Sequence, residues 1–174
     1  MALCLAGMAL AQTSAADTRP EVSVALPQAQ LVGKGRLTVF GFQIYDARLW
    51  AMPGFTSTSY ATQPLGLELN YLRNFKALDI AERSLKEMRR SASISDAQEA
   101  KWLADMLRVV PDVKKGDRVL GIHKPGTGAD FWVNGKPVGE IQDAEFARLF
   151  FGIWLSPKTS EPQIRTLLLG GTPG

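Results

Sequence analysis

The chain has 174 residues, 45% of them hydrophobic and 21% charged, a mix that fits one globular domain and excludes a disordered, collagenous or coiled-coil chain. Lys and Arg number 20 against 17 Asp and Glu, a net charge of +3, too small and too dispersed an excess for a nucleic-acid binder. One Cys and one His leave little room for metal-site or thiol chemistry.

Residues 1–16, MALCLAGMALAQTSAA, carry no charge and are mostly Ala, Leu and Met. The apolar run is far shorter than the roughly 20 residues that span a bilayer. Ahead of the small residues Ala9-Leu10-Ala11 and Thr13-Ser14-Ala15, it reads as a secretory signal without its basic start. The expected organisation is a signal at 1–16 and a single domain at 17–174, periplasmic or secreted. Removal of the signal also removes Cys4, and with it disulfides and thiolate chemistry.

Residues 21–51 read as strands. Leu31 to Leu49 is rich in Val, Phe, Ile, Tyr and Thr, interrupted by Gly33, Gly35 and Gly41, and glycines inside strands mark bulges or close backbone approach. Met52 to Pro64 has loop composition. Leu65, Leu67, Leu69 and Tyr71 then alternate with Gly66, Glu68 and Asn70, the period of a half-buried strand. In 76–90, Ala77, Ala81, Leu85 and Met88 recur at helical spacing. Ser95 with Gln98 predicts a capping box for the next helix, which Pro111 stops. Arg118–His123, Phe131–Val133 and Val138–Ile141 are three more strands, the last two joined by Asn134-Gly135, a strong hairpin signal. Asp143 predicts the cap of a helix that is apolar nearly all round and therefore buried. Ser160 with Gln163 predicts the cap of a last helix, with Pro162 in its first turn and Gly170 at its end. The order implies an α+β fold, an antiparallel sheet with helices layered on one face.

No P-loop, nucleophile elbow, zinc-protease signature or G-x-G-x-x-G occurs. His123 reads as a partly exposed strand-end residue, with general base or haem ligand as the functional alternative. Arg36 stands out. In a continuous strand it shares a face with Thr38, Phe40, Phe42 and Ile44, which would set a guanidinium beside an apolar wall. Its partner is either internal, Asp46 or Glu68, or a ligand carboxylate held bidentately. Alternatively the residue lies on the solvent face of the sheet. The cluster Trp132, Phe146, Phe150, Phe151 and Trp154 is either plain core or the lining of an apolar cavity between helix and sheet.

The segments GKGRLTVFGFQIYDARLW (33–50), LGLELNYLRNFKALDIAERSLKEM (65–88), VKKGDRVLGIHKPGTGADFWVNGKPVGEI (113–141) and EFARLFFGIWLSP with IRTLLLG (145–157, 164–170) resemble the chalcone isomerase superfamily, in particular its bacterial exported chalcone isomerase-like group. The resemblance implies an open-faced β-sandwich. It also offers three activities: cyclisation of chalcones, fatty-acid binding through an Arg, and haem binding. Arg36 stands where that Arg falls. The Tyr and Asn that the enzymes carry on the first helix are replaced by Leu78 and Leu85, and Gln43 stands near the place of a cleft Thr. The expectation is therefore a non-catalytic periplasmic binding protein for a small amphipathic or aromatic ligand. Arg36 would hold the ligand's carboxylate, Tyr45 would donate a second hydrogen bond, and Thr38, Phe40, Phe42, Leu69 and Tyr71 would wall the ligand with the 145–155 helix. A fatty acid is the expected ligand, haem the cofactor alternative and a chalcone isomerase-type lyase the functional one. No nucleic-acid partner and no membrane-spanning segment beyond the signal are expected.

Overall fold

Six strands form one sheet in which every neighbour is antiparallel and spatial order equals chain order: β1 Gln30–Val39, β2 Phe42–Ala51, β3 Leu65–Tyr71, β4 Arg118–Lys124, β5 Gly128–Val133 and β6 Lys136–Ile141. The computed structural model describes residues 19–172; the signal expected at 1–16 lies outside them. Helices α2 (Ala77–Met88) and α3 (Asp96–Val109) connect β3 to β4, while α4 (Ala144–Leu155) and α5 (Pro162–Leu168) follow β6. All four pack on one face of the sheet, as the α+β reading expects. A short helix, α1 (Pro20–Ala25), occupies the other face where the sequence suggested strand.

Alternation along the strands sorts the side chains between the two faces. Ala47, Leu49, Leu65, Leu67, Leu69, Phe131 and Ile141 turn toward the helices and form the main core with Met88, Trp102, Phe146, Phe151 and Leu155. Fully burying side chains of this kind stabilises the fold by about 1.5–3 kcal/mol each. Glycines let backbone and rings approach the sheet. A Cβ on Gly33 would lie 2.2 Å from the Leu167 carbonyl oxygen, and one on Gly121 would lie 3.2 Å from Phe151 Cζ. The end of α5 thus rests directly on the β1 backbone, and the Phe151 ring abuts β4 at Gly121.

The helix ends follow their local chemistry. Ser95 and Gln98 form the expected reciprocal capping box of α3. The Asp143 carboxylate accepts from the Phe146 amide at 2.9 Å and from Trp102 Nε1 at 2.9 Å, capping α4 and tying it to α3. The cap expected from Ser160 is not formed. Glu161 is the residue before α5, makes no side-chain cap, and leaves Pro162 to set the first turn, a position that has no amide hydrogen to satisfy.

On the opposite face, Val22 of α1 and Leu26 just after it cover Trp50, Leu120 and Ile122. Beside them Glu68 is fully buried yet ringed by cations. Arg19 Nε reaches its Oε2 at 3.0 Å, Arg118 Nη1 reaches the same oxygen at 2.9 Å, and Arg48 Nη1 reaches Oε1 at 3.3 Å. Arg118 also binds Glu21 at 2.7 Å, so α1 is pinned through both ends of one ionic network. Removing the central carboxylate leaves guanidinium groups facing one another in a partly desolvated place. Glu68→Leu is expected to lower unfolding free energy by about 3 kcal/mol, measured by urea denaturation at neutral pH. A loss below about 1 kcal/mol would show that the arginines rehydrate without cost.

Candidate functional site

Between the sheet and its helices lies a cavity of about 390 Å³, within the range of small-molecule sites. Its floor is the inner face of β1 to β4: Leu37, Val39, Ile44, Tyr45, Leu69, Tyr71 and Val119. Its roof is Ile80 and Ala81 of α2, Met106 and Val110 at the end of α3, and Phe150, Ile153 and Trp154 of α4. The sheet supplies this floor because Leu37, Tyr45, Leu69 and Tyr71 all occupy inward positions on strands in register: Leu37 faces Tyr45, and Tyr45 faces Tyr71.

Two phenols dominate the polar chemistry inside. The rings of Tyr45 and Tyr71 meet edge to face at 6.0 Å, and Tyr71 leans on Phe75 at 5.8 Å. Trp154 Nε1 donates to the Tyr45 hydroxyl oxygen at 2.9 Å, which leaves that hydroxyl's own hydrogen without an acceptor among the described residues. The Tyr71 hydroxyl makes no hydrogen bond with any described residue. Burial pushes both phenols well above their ordinary range, so both stay protonated and act as neutral donors.

The mouth is charged and predominantly acidic. Asp79, Arg83, Glu87 and Glu161 line it with Ser84 and Ser160. Arg83 is paired with Glu87 at 2.8 Å one helical turn away, and the Ser84 hydroxyl donates back to the Ile80 carbonyl at 2.8 Å.

Of the residues expected to form the site, Tyr45, Leu69 and Tyr71 line the cavity. Arg36, Thr38, Phe40 and Phe42 do not. Arg36 lies on the outer face, its side chain 46% exposed, and holds Asp46 bidentately at 2.6 and 2.9 Å. Thr38 is exposed beside it. Phe40 and Phe42 stand at the tip of the β1–β2 hairpin, 96% and 57% exposed. For Arg36 and Thr38 the physical reason is parity; Phe40 is a turn residue, and Phe42, although it pairs with the inward Val39, does not line the cavity. Gly33 and Gly35 must face α5, so the odd positions Leu37 and Val39 point inward and the even ones outward. Of the aromatic cluster, Phe150 and Trp154 line the cavity, while Phe146 and Phe151 are core and Trp132 packs on the outer face. Leu78 is exposed, Leu85 is core, and neither reaches the cavity. Arg83, Glu87 and Glu161 were not anticipated. The i, i+4 spacing of Arg83 and Glu87 marks a pair on one helix side, and only the packing of α2 over the sheet brings that pair to a cavity mouth.

A haem does not fit these residues. The cavity presents no imidazole or thiolate among the described residues, its phenols are held neutral, and propionates would meet Asp79, Glu87 and Glu161. His123 sits elsewhere on the inner face, against Phe151 with ring centroids 4.9 Å apart. It is 1% exposed, a correction to the partly exposed position expected, because the loop before β3 folds over the end of β4. No cluster of potential metal ligands occurs among the described residues, and no described helix is long and apolar enough to cross a membrane.

An open antiparallel sheet, layered with helices on one face and hollow between the layers, defines the open-faced sandwich class. The chain belongs to the chalcone isomerase-like family, whose model matches residues 11–170. An uncharacterized protein of Haemophilus influenzae is 27% identical over 143 residues, covering 82% of this chain and 69% of that protein. The crystal structure of a fatty-acid binding protein of Arabidopsis thaliana has the same fold, with a TM-score of 0.63 and 10% identity, covering 83% of this chain and 88% of that one.

Burial lowers the His123 pKa below its ordinary value of 6.5, an effect partly offset by the nearby backbone of Tyr60 and Gln63. The unfolded chain therefore takes up this proton first as pH falls, and stability present above about pH 6.5 is lost toward the folded-state pKa. The urea midpoint should fall between pH 8 and about pH 5.5 more steeply in the native protein than in His123→Leu. Equal slopes would show that the imidazole is protonated in the folded state without penalty.

Proposed function

We propose that the protein is a non-catalytic binding protein for an amphipathic acyl molecule, held with its chain in the cavity between sheet and helices and its oxygen-bearing end against Tyr45 and Tyr71. The observation that carries this reading is the pair of buried phenols whose hydroxyl hydrogens have no protein acceptor. Both residues line the cavity, so a ligand oxygen beside either hydroxyl can accept its hydrogen. The apolar lining contributes most of the affinity, at about 25 cal/mol per Å² buried. The Arabidopsis protein of like fold, a fatty-acid binding protein by title, supports an acyl ligand.

The anchor differs from the one expected at Arg36. That guanidinium is on the other face and engaged with Asp46. The single arginine at the mouth is engaged with Glu87, and Asp79 and Glu161 lie nearby. A free carboxylate would be desolvated beside three acidic side chains with no available cation. Burial and like charge both raise a carboxyl pKa, so a fatty acid is held as the neutral acid. The reading keeps residues 1–16 as an export signal, which would put the site in the periplasm or outside the cell.

A second reading has one observation in its favour. The same two hydroxyls could polarise an enone carbonyl, as an isomerase of the chalcone type requires. Turnover of a chalcone, abolished by Tyr45→Phe, would establish it.

The binding reading is tested by calorimetry with lauric acid and methyl laurate. Above the pKa of the free acid, lauric acid affinity should fall on the order of tenfold per pH unit, while methyl laurate affinity stays flat. Tyr45→Phe and Tyr71→Phe should each weaken both ligands about five- to tenfold, the worth of one hydrogen bond of about 1 kcal/mol. Lauric acid affinity that is level or rising with pH would show an anion bound to a cation instead. Failure of both ligands to bind would remove the acyl reading altogether.

A further inference from the structure

The tip of the β1–β2 hairpin breaks two rules at once. Phe40 and Gly41 have φ of 50° and 80°, the same values as Asn134 and Gly135 in the β5–β6 hairpin. Both positions of this tight turn need positive φ, for which Asn-Gly is the favoured pair. The second hairpin has that pair. The first places Phe where Asn belongs, in a left-handed conformation that bulky residues avoid. The same Phe is 96% exposed and its neighbour Phe42 is 57% exposed. Neither side chain contributes to the core, so the fold does not explain them. Local rules broken without a structural return point to function.

The surroundings say what the tip meets. The Arg73 guanidinium lies 4.6 Å over the Phe42 ring. Arg73 and Lys115 border the groove beside Gly41 and Phe42, together with Gln43 and Leu72 and no acidic residue. Neither cation forms an ion pair with a described residue. Two protruding aromatic rings with a basic collar match the interface of an anionic bilayer: rings enter the headgroup and acyl boundary, and cations meet the lipid phosphates. A protein partner of ordinary affinity needs about 800 Å² from each side, and a tip of two side chains offers a narrow point rather than such a plane. Val39, next to the turn, and Ile44, farther along β2, also line the cavity.

The geometry points to docking of this hairpin tip on anionic lipid membranes, with Phe40 and Phe42 inserted and Arg73 and Lys115 at the headgroups. The end of the cavity lined by Val39 and Ile44 is thereby brought toward the lipid surface. The docking does not depend on the identity of the cavity ligand.

The test is co-sedimentation of the full-length chain with phosphatidylcholine vesicles, with and without phosphatidylglycerol, in about 0.1 M salt, where a Debye length of about 10 Å still permits headgroup attraction. The protein should bind the anionic vesicles, and Phe40→Asn should weaken that binding about tenfold or more. Phe40→Asn restores the preferred turn pair, so its melting temperature should be unchanged or higher. Phe40→Gly, which also accepts positive φ, serves as a second variant of the same tip. Arg73→Gln with Lys115→Gln should weaken binding and reduce its salt dependence. Residues 1–16 are common to all variants and cancel in the comparison. Equal vesicle binding by the native protein and both Phe40 variants would overturn the proposal, as would absence of binding to anionic vesicles. A protein partner lost on Phe40→Asn while vesicle binding is unchanged would assign the tip to that partner and overturn the lipid assignment.

Discussion

The contact of α5 with β1 determines what each side of this protein can do. At Gly33 the strand backbone lies against the Leu167 and Leu168 carbonyls, with no room for a side chain. A strand held so closely cannot turn over, and a slip of one residue would move every side chain to the other face. Leu37 and Val39 are therefore committed to the cavity, and Arg36 to solvent and Asp46. The register carries this parity across the sheet, from Leu37 to Tyr45 to Tyr71. One close backbone approach at the sheet edge thus selects the two phenols as the cavity's polar groups.

The two faces then carry opposite kinds of polar chemistry. The outer face concentrates charge, with Glu68 buried among three arginines under α1. The inner face is apolar with two neutral hydroxyls. A cation on the inner face would need a partner to be stable. The arginine that reaches the cavity mouth, Arg83, has one in Glu87. The arrangement suits recognition by neutral hydrogen bonds in an apolar cavity and disfavours an anion there.

Much of this was legible in residue patterns. The alternation of Leu65, Leu67, Leu69 and Tyr71, the Ser95–Gln98 box, Asp143 and Asn134-Gly135 are local signals with local causes, and each element they implied is present. Arg36 was misleading because period-2 logic states which residues share a face but not which face is buried. The glycines that settle the matter were visible as close-approach markers, yet their partner, the end of α5, is more than 130 residues away. Val22 and Val24 favour β structure, yet packing of Val22 and Leu26 on Trp50 and Ile122 overrides that propensity and makes the short α1. The acidic mouth depends on how α2 meets the segment before α5, and no local pattern encodes that meeting.

The paired hairpins make the contrast between structural and functional sequence choice unusually direct. Both turns have the same backbone geometry in the same chain, so differences in turn type cannot account for the different residues. Asn134 contributes to its own neighbourhood: its side chain accepts from the Arg118 amide at 2.9 Å and donates to Asp117 at 3.0 Å. Phe40 contributes nothing of that kind and leaves a large ring in water. A residue that costs conformational energy and solvation in the isolated protein points to a role outside it. Val39 and Ile44, on the two strands that carry this turn, line the cavity. A docked tip therefore sets the Val39 and Ile44 end of the cavity near the bilayer.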